Sequence, residues 1–337
     1  MLMKKFFKFK NFKYFFLVFI SACIENAPLD SLSPEGPYAR SIDELFWLTF
    51  WIAVIIFVLV QGVLLISVFI FREKPNKPEP KQIHGNTKLE IIWTVIPVLI
   101  LAFIAVPTVR TIFDLAREPE DALKIEVIGH QWWFEYKYPD YGITTANVLV
   151  IPSDTPIRLE MWSNDVLHNY WVPKLNGKRY LVPGQKTYLN LQADNPDEFW
   201  AQCGEYCGLS HSKMRGRVVS LSEDDFNSWI KNQQQNATKL EDGSLAAEGQ
   251  TVYLNAGCTQ CHVINGVWDT QGDRIAPNLT HFATRTVFAG ASLENNEENL
   301  TNWLANPPKI KPGTFMPNLE LTEAEINALI AYLGTLK

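Results

Sequence analysis

The sequence has few of the residues that bind soft metals: its 337 residues include only five cysteines, six histidines and five methionines. Two cysteine pairs stand in the short motifs CGEYC and CTQC, and a single cysteine, Cys23, ends the segment ISAC. No pair is left over for a structural disulfide. We therefore expect the cysteines to serve two redox centres and one lipid attachment point, which indicates electron transfer rather than substrate turnover within this chain.

An excess of basic charge and internal repeats are also missing. Acidic residues outnumber basic ones by 36 to 30, for a net charge of −6. Without a basic field to attract phosphates, the net charge argues against a nucleic-acid binder. Apolar residues are abundant instead, at 47% of the chain with 20 Phe and 11 Trp. They are concentrated before residue 115, which is typical of a membrane anchor rather than of a soluble domain.

Residues 1–22 have the pattern of a bacterial export signal. Several lysines precede Tyr14–Ile20, an apolar run too short to cross a bilayer. ISAC resembles a lipobox, in which Cys23 would be acylated and become the new N-terminus. The alternative is a signal or anchor that merely contains a cysteine. A tail over 23–41 would follow.

Two uncharged apolar runs, Leu45–Phe71 and Ile91–Val109, predict a transmembrane hairpin within 42–115. We expect its helices at about 45–71 and 89–113. Buried core helices are the alternative, but these runs are unusually long for that. Basic residues outnumber acidic ones in the connecting loop, which predicts that the loop lies in the cytoplasm. The N-terminus and everything after residue 115 would then lie outside the bacterial inner membrane.

Beyond Lys124, short segments rich in β-branched residues predict an all-β sandwich over 118–230. A helix at Ser222–Gln235 would close this domain, and a polar linker at 231–243 would follow. Residues 244–337 are helical in character, and a capping box opens the last helix. The predicted strands are IEVIG, NVLVIP, PIRLEMW, KTYLNLQ and GRVVSL.

One segment, CGEYCGLSHSKM, carries Cys203, Cys207, His211 and Met214, and His168 lies upstream in DVLHNYWVP. Thiolate, imidazole and thioether ligands together favour copper, because zinc has little use for methionine. Two thiolates this close can bridge two copper ions that share one odd electron. A structural zinc site or a disulfide within the motif are the alternatives.

This motif, the upstream D-V-x-H and the two apolar runs resemble subunit II of cytochrome c oxidase over roughly Ser41–Ile230. The resemblance implies a cupredoxin-like domain with a binuclear copper A centre. Quinol oxidases of the same superfamily keep the fold but lack these cysteines, so a cytochrome c-type donor is implied. The implied copper ligands are His168, Cys203, Cys207, His211, Met214 and the backbone carbonyl of Glu205. The side chain of Glu205 would also reach a magnesium ion shared with subunit I.

The same resemblance suggests roles for Trp132 and Glu90. Trp132, in GHQWWFEY, matches the tryptophan through which electrons reach the copper site, and an exposed ring there would also be a docking surface. On sequence alone, Trp132 and Trp133 could be core aromatics. Glu90 matches the mouth of a proton path into subunit I, or is an ordinary acid at a helix start. Tyr180 and Gln185 depart from the family pattern, which leaves charge pairs at those two positions unsupported.

The motif CTQCH predicts covalent haem c attachment through Cys258 and Cys261, with His262 as an axial ligand. Met316, the only methionine after residue 214, is the expected second ligand, and His281 is its rival. A thioredoxin-like thiol pair or half a zinc site are alternatives. The first lacks a βαβ setting and the second lacks another Cys/His pair.

The whole of 244–337 resembles a class I cytochrome c. The resemblance implies that Gly249 and Tyr253 of the first helix pack against the last helix near Tyr332. It also implies that the carbonyl of Pro277 accepts the proton of the haem-ligand histidine. Ala276 replaces the glycine usual before that proline.

Both units on one chain resemble subunit II of a caa-type oxidase: a two-helix transmembrane hairpin, a cupredoxin-like sandwich and an all-α cytochrome. The implied route runs from a cytochrome c or a quinol-oxidising complex to the haem, past Trp132 to copper, and on to subunit I. There, among further oxidase subunits, oxygen would be reduced to water with proton pumping, and this chain would hold no catalytic residue.

Two alternatives remain. The copper A subunit of a nitric oxide reductase would share every feature above. A copper-carrier lipoprotein would need neither a haem nor a two-helix anchor.

Overall fold

The computed structural model describes residues 27–73, 75, 82–269 and 275–337. The predicted signal at 1–22 and Cys23 lie outside the described residues, as do several lysines of the connecting loop. Lipidation of Cys23 therefore stays a prediction.

Two long apolar helices, α1 (Pro37–Ile70) and α2 (Thr87–Ala116), form the hairpin. Within the described residues they are the two helices long and apolar enough to cross a membrane, and the most apolar stretch of each is not buried by protein. At 34 residues, α1 is roughly 50 Å long, so it extends beyond a hydrocarbon core of about 30 Å.

Both helices are longer than the sequence predicted. Helix α1 begins at Pro37 because proline at the first position already has a helical φ. Helix α2 begins after Asn86, whose side-chain oxygen accepts hydrogen bonds from the backbone nitrogens of Lys88 (3.1 Å) and Leu89 (3.3 Å). Hydropathy alone detects the membrane-spanning part and misses these polar ends.

The next domain is a sandwich of two five-stranded sheets, as far as the described residues show. The pairs β1–β5 and β4–β10 are parallel and the other pairs are antiparallel. The first sheet, in the order β3-β2-β1-β5-β8, contains β1 (Leu123–His130), β2 (Trp133–Tyr138), β3 (Ile143–Ala146), β5 (Ile157–Ser163) and β8 (Thr187–Leu191). The second, in the order β4-β10-β9-β6-β7, contains β4 (Val148–Pro152), β6 (His168–Trp171), β7 (Lys178–Leu181), β9 (Asp197–Cys203) and β10 (Arg215–Leu221).

All five predicted β segments form strands, namely β1, β4, β5, β8 and β10. The other strands lack a clear apolar alternation. β6, for example, reads HNYW and buries His168 and Asn169 together with Tyr170. It is stabilised by its neighbours in the sheet, which sequence periodicity cannot detect.

Helix α3 (Glu223–Gln233) closes the sandwich, as predicted. Ser222 caps it, because its hydroxyl accepts a hydrogen bond from the backbone nitrogen of Asp225 at 3.2 Å. Phe226 and Ile230 are buried in the core of the sandwich.

Buried polar contacts join the sandwich to the end of α2. The Asn190 amide donates to the carbonyl oxygens of Leu115 (3.0 Å) and Arg117 (2.7 Å). Arg158 donates to the side-chain oxygen of Asn190 at 2.8 Å. The first turns of α1 add an ion pair between Arg40 and Asp194.

The last domain packs helices α4 (Leu245–Asn255) and α7 (Glu323–Leu333) against each other. They approach closely at Gly249, where a Cβ atom would lie 1.9 Å from the carbonyl oxygen of Ala328. The rings of Tyr253 and Tyr332 lie 5.9 Å apart. The expected helix contact is present. Between α4 and α7 lie β11 (Val287–Phe288), β12 (Leu293–Glu294), α5 (Glu297–Ala305) and the short α6 (Pro307–Ile310).

The polar segment between α3 and α4 packs on the last domain rather than extending freely. Ala237 and Leu240 contact its hydrophobic core, and the Ala237 backbone nitrogen donates to the carbonyl oxygen of Asn265 at 3.0 Å. The linker is therefore held against the last domain.

Candidate copper and haem centres

The predicted copper ligands converge at one end of the second sheet. Cys203 is the last residue of β9, and Met214 immediately precedes β10. Cys207 and His211 lie on the loop between these strands, while His168 begins the neighbouring strand β6. A strand end and one short loop thus bring together residues that are distant in sequence.

The sulfur and nitrogen atoms lie within a few ångströms of one another. The Sγ atoms of Cys203 and Cys207 are 3.8 Å apart, too far for a disulfide. Cys203 Sγ lies 3.9 Å from His168 Nδ1, and Cys207 Sγ lies 3.6 Å from His211 Nδ1. Met214 Sδ lies 3.8 Å from Cys207 Sγ. Both thiols are buried, and the Cys203 thiol also lies 3.2 Å from the carbonyl oxygen of Glu205.

The two neighbouring thiols shift each other's pKa in opposite directions. A hydrogen bond from Cys207 lowers the pKa of Cys203 to about 4. The pKa of Cys207 is raised by its hydrogen bond with Cys203, by burial and by repulsion between the two negative charges. A bound cation would relieve this repulsion, so the donor set and its electrostatics fit copper.

Asp165 fixes the orientation of His168, a contact that the sequence did not predict. Its Oδ1 lies 2.7 Å from His168 Nε2, which leaves Nδ1 toward Cys203. Oδ2 accepts a hydrogen bond from the backbone nitrogen of Gln131 at 2.6 Å. Burial alone would raise the pKa of Asp165, but the hydrogen bonds from His168, Gln131 and Val166 outweigh burial and lower it.

Trp132 connects the loop between β9 and β10, named the copper loop from here on, to the last domain. Its indole Nε1–H donates to the carbonyl oxygen of Cys207 at 3.0 Å. Only 5% of the residue is exposed, so the expectation of an exposed docking ring is wrong for this chain. Gly313 of the last domain covers the ring, since a Cβ atom there would lie 2.6 Å from Trp132 Cη2. Trp133 is a core aromatic, stacked on His130 with ring centroids 4.3 Å apart.

The cleft of the last domain contains the predicted haem ligands. His262 Nδ1 donates to the carbonyl oxygen of Pro277 at 2.7 Å, as expected, so Nε2 remains for a metal. The thiols of Cys258 and Cys261 are free and half-buried. Residues lining the cleft include Cys258, Cys261, His262, Pro277, Phe282, Arg285, Leu300, Trp303, Leu304 and Met316, together with Gln131, Trp132 and Trp133 of the sandwich.

His281, the rival of Met316, is engaged elsewhere. Its ring nitrogens face the carbonyl oxygens of Lys337 (3.0 Å) and Gln233 (3.1 Å). The imidazole therefore joins the end of α3 to the last domain. Met316 lines the cleft that contains His262, whereas His281 does not.

Arg285 gives a further test of whether the cleft fits a haem. It is buried and lines the cleft, its Nε has no partner, and burial lowers its pKa to about 10. A buried guanidinium with an unused donor suits an anionic group, and a haem carries two carboxylates. Apolar walls, two free thiols, an oriented histidine and this arginine fit a haem c.

The remaining predicted residues are not among the clustered sulfur and nitrogen donors. Glu90 is in the first turn of α2, distant in the fold from the copper loop, and Glu205 lies on that loop. Tyr180 and Gln185 are exposed, the former on β7. The contacts of Asp165 and Arg285 were missed, and only Asp165, within the quoted DVLH segment, stood in a motif that could have revealed it.

Three family descriptions match the chain. Residues 30–111 match "Cytochrome C oxidase subunit II, transmembrane domain", and residues 142–221 match "Cytochrome C oxidase subunit II, periplasmic domain". Residues 246–337 match "Cytochrome c".

Curated relatives match over most of their length. Cytochrome c oxidase subunit 2 of Alkalihalophilus pseudofirmus is 36% identical over 331 residues, covering 96% of this chain and 95% of the relative. Its counterpart in Bacillus subtilis is 33% identical and covers 92% of each chain. Quinol oxidase subunit 2 of Bacillus subtilis is 34% identical over 66% of this chain and 72% of its own length.

Among solved structures, the periplasmic domain of subunit II of cytochrome oxidase from Bradyrhizobium japonicum aligns with 36% of this chain and 97% of its own at 24% identity, with a TM-score of 0.34. Full-length identity to cytochrome c oxidase subunits, the three matched domains and the clustered ligands agree. The chain belongs to the cytochrome c oxidase subunit 2 family, as a membrane-bound subunit of a haem-copper oxidase with a cytochrome c domain fused behind its copper domain.

Proposed function

We propose that the chain accepts electrons at a haem c in the last domain and passes them one at a time through Trp132 to a copper A pair. The copper pair would deliver them to the haem of subunit I. One observation carries this route: Trp132 lines the haem cleft and also donates a hydrogen bond to the carbonyl of the copper-loop residue Cys207.

The copper centre would supply a one-electron carrier whose charge is spread over two ions. His168, Cys203, Cys207, His211 and Met214 would hold it, with the carbonyl of Glu205 as a further ligand. The sheet fixes both ends of the ligand loop, so these side chains change position little when the charge changes. Asp165 keeps His168 in one orientation through the same step.

The haem would supply a second one-electron carrier, bound through thioethers to Cys258 and Cys261. His262 and Met316 would be its axial ligands, and His–Met ligation raises the reduction potential. Pro277 holds the His262 ring by accepting its Nδ1 proton, and Arg285 faces the cleft with an unused donor.

Oxygen would be reduced to water in subunit I with proton pumping, and this chain would add no catalytic residue. The full-length relatives named cytochrome c oxidase subunit 2 favour oxygen over nitric oxide as the acceptor. The external donor would be a cytochrome c or a quinol-oxidising complex.

The finer anatomy belongs to the same proposal. The copper and haem domains lie outside the bacterial inner membrane, Cys23 carries lipid after removal of 1–22, Glu90 opens a proton path, and Glu205 contacts a magnesium ion at subunit I. The units are 23–41, 42–115, 118–230, 231–243 and 244–337.

The test is composition and kinetics of the purified oxidase complex. We expect copper and covalently bound haem in this subunit, a near-infrared copper band, and oxygen uptake driven through the subunit. Zinc in place of copper, or nitric oxide consumption without oxygen uptake, would contradict the proposal.

A further inference from the structure

The last domain inserts part of its chain into the sandwich. Val287 and Ala291 are 3% exposed and belong to the same buried cluster as the sandwich core. Val287 begins β11, and Ala291 lies in the turn between β11 and β12. The haem-cleft domain is thus docked through an apolar contact of the kind found inside a domain.

The turn between β11 and β12 has an unusual backbone conformation. Ala289, Gly290 and Ala291 all have positive φ, at 53°, 74° and 52°. In this conformation the Gly290 carbonyl accepts a hydrogen bond from the backbone nitrogen of Arg215, at the start of β10, at 2.8 Å. The Ala289 carbonyl accepts one from Lys311 at 2.9 Å. Consecutive residues keep a left-handed backbone conformation only where surrounding contacts stabilise it.

Lys311 lies at the centre of the interface, only 3% exposed. Its Nζ donates to the carbonyl oxygens of Trp132 (2.5 Å) in the sandwich and Ala289 (2.9 Å) in its own domain. Among the described residues it has no carboxylate partner within ion-pair distance. A lysine is rarely buried without one, so this position calls for a specific role.

Two further side chains from the copper loop hold the residues on either side of Lys311. Lys213 donates to the carbonyl oxygen of Ile310, and the Ser210 hydroxyl donates to that of Pro312 at 2.6 Å. Gly313 follows directly and lies against the Trp132 ring. The segment from Ile310 to Gly313, which leads to the predicted haem ligand Met316, is thus fastened to the copper loop along its length.

We propose that Lys311 is a positioning residue for the haem-to-copper step, which holds the haem cleft against Trp132 and closes that tryptophan to any diffusing donor. The inference rests on the proposed function. One electron leaves a ferrous haem and reduces the copper pair by one electron, with no bond made or broken and no proton moved. Every electron from outside must then enter through the fused haem.

The experiment uses the complete oxidase complex with Lys311→Met and the matched control Lys309→Met. Lys309 lies in the same segment and is exposed, so its substitution removes the same charge without touching Trp132. A light flash excites a ruthenium complex, which reduces the haem. Electron transfer from haem to copper is then followed by the optical bands of the two centres. Hydrogen exchange of the amides in 287–291 and 307–313 reports docking independently of electron transfer.

For Lys311→Met we expect haem-to-copper electron transfer to slow by about tenfold or more. Loss of a buried hydrogen-bond donor should lower the population of docked domains, relative to undocked ones, by at least that factor. Amides in both segments should exchange faster, while haem and copper spectra and reduction potentials stay unchanged. Lys309→Met should behave as wild type. Wild-type transfer and exchange in Lys311→Met, or equal slowing in Lys309→Met, would overturn the proposal.

A second variant covers failure of Lys311→Met to fold. Ser210→Ala removes one interface hydrogen bond and buries no charge, so a smaller slowing with faster exchange in 307–313 is expected. No change in either measurement would overturn the proposal. The proposed function itself fails if the wild-type complex contains haem and copper but transfers no electron between them. A normal transfer rate in Lys311→Met would instead contradict only the role of Lys311.

Discussion

The copper centre and the haem cleft are built in different ways. The predicted copper ligands come from one sheet and its connecting loop, with neighbouring donor atoms 3.2–3.9 Å apart. The haem cleft is lined by residues spread from Ala256 to Leu333 and is completed by Gln131, Trp132 and Trp133 of the other domain. One site is complete within its own domain, whereas the other needs a neighbour.

This difference suggests which site depends on docking. The copper site is held by sheet hydrogen bonds that remain if the domains separate. The cleft loses one wall on separation, and Trp132 becomes exposed. Substitutions at the ligands should therefore affect one centre, and substitutions at the interface should affect transfer between two intact centres.

The largest effect is expected for Cys207→Ala, which tests the independence of the copper site. Removing one of the two thiolates leaves the copper pair with Cys203 as its single shared thiolate, so the near-infrared copper band should vanish. The haem spectrum should remain unchanged, because Cys207 is no haem ligand. Metal analysis and optical spectra of the complex measure both. Ser212→Ala, an exposed change in the same loop, is the control, and copper retained in Cys207→Ala would contradict the comparison.

Gly290→Ala tests whether docking depends on backbone shape. A Cβ atom there would lie 2.4 Å from the carbonyl oxygen of Trp132 and 2.3 Å from Lys311 Nζ, at a φ of +74°. The combined backbone and steric cost is about 2–4 kcal/mol. Haem-to-copper transfer should slow and 287–291 should exchange faster, with copper content unchanged.

Gly243→Ala is the matched control for that substitution. Gly243 has the same φ of +74° but no atom within 4 Å of its Cβ position. It should lose only about 1–2 kcal/mol of stability and no transfer rate. If both variants transfer electrons equally slowly, contact at Gly290 is not what holds the domains together.

Asp165→Asn tests how far copper binding depends on the carboxylate that orients His168 and bonds the backbone of Gln131, the residue before Trp132. The amide cannot accept both from His168 and from the Gln131 backbone as a carboxylate does. Copper affinity should fall by about 10- to 100-fold, the usual cost of losing such a partner. Competition with a copper chelator measures the loss. Asp140→Asn, in an exposed turn, is the control, and unchanged affinity in Asp165→Asn would show that the sheet alone orients His168.

A smaller effect is expected from pH. Burial, with Lys213 adding to it and Cys207 opposing it, lowers the pKa of Lys311 to about 7. In the undocked state the pKa would return toward about 10.4. Above pH 7 the undocked state therefore binds more protons, so docking strengthens as pH rises, by at most about tenfold per pH unit. Below pH 7 both states are charged and the dependence vanishes.

Transfer rates of wild type and Lys311→Met, measured between pH 6 and 9, check this sign. The wild-type rate should rise with pH where docking limits it, and the variant should lose that rise. A wild-type rate that falls as pH increases, with a flat variant, would show that the charged lysine is the docked form.

Local motifs made the clustering of the candidate metal ligands predictable. CGEYCGLSHSKM lies on one loop and CTQCH on one turn, so sequence spacing reflects spatial spacing. The two apolar runs and the last helix, with its Thr322–Glu325 capping box, were predictable for the same reason. His168 lies outside these local motifs, and the family resemblance supports its assignment, since β6 has no periodic pattern of its own.

The interface could not be predicted, because its parts lie far apart in sequence. Lys311 contacts the carbonyl of Trp132 across the domain boundary. A lone lysine in a proline-rich segment resembles an ordinary solvated residue. The burial of Trp132 was missed for the same reason: its cover is Gly313, which has no side chain to suggest a contact.

The Asn190 amide has a mechanical consequence. It donates hydrogen bonds to two carbonyls at the end of α2 and accepts one from Arg158, so it couples the membrane helix rigidly to the first sheet. A tilt of that helix in the lipid would therefore turn the sandwich as a rigid body. The cytochrome fastened to it would swing along the same arc, and the distance between the two carriers would stay constant while their height above the bilayer changed.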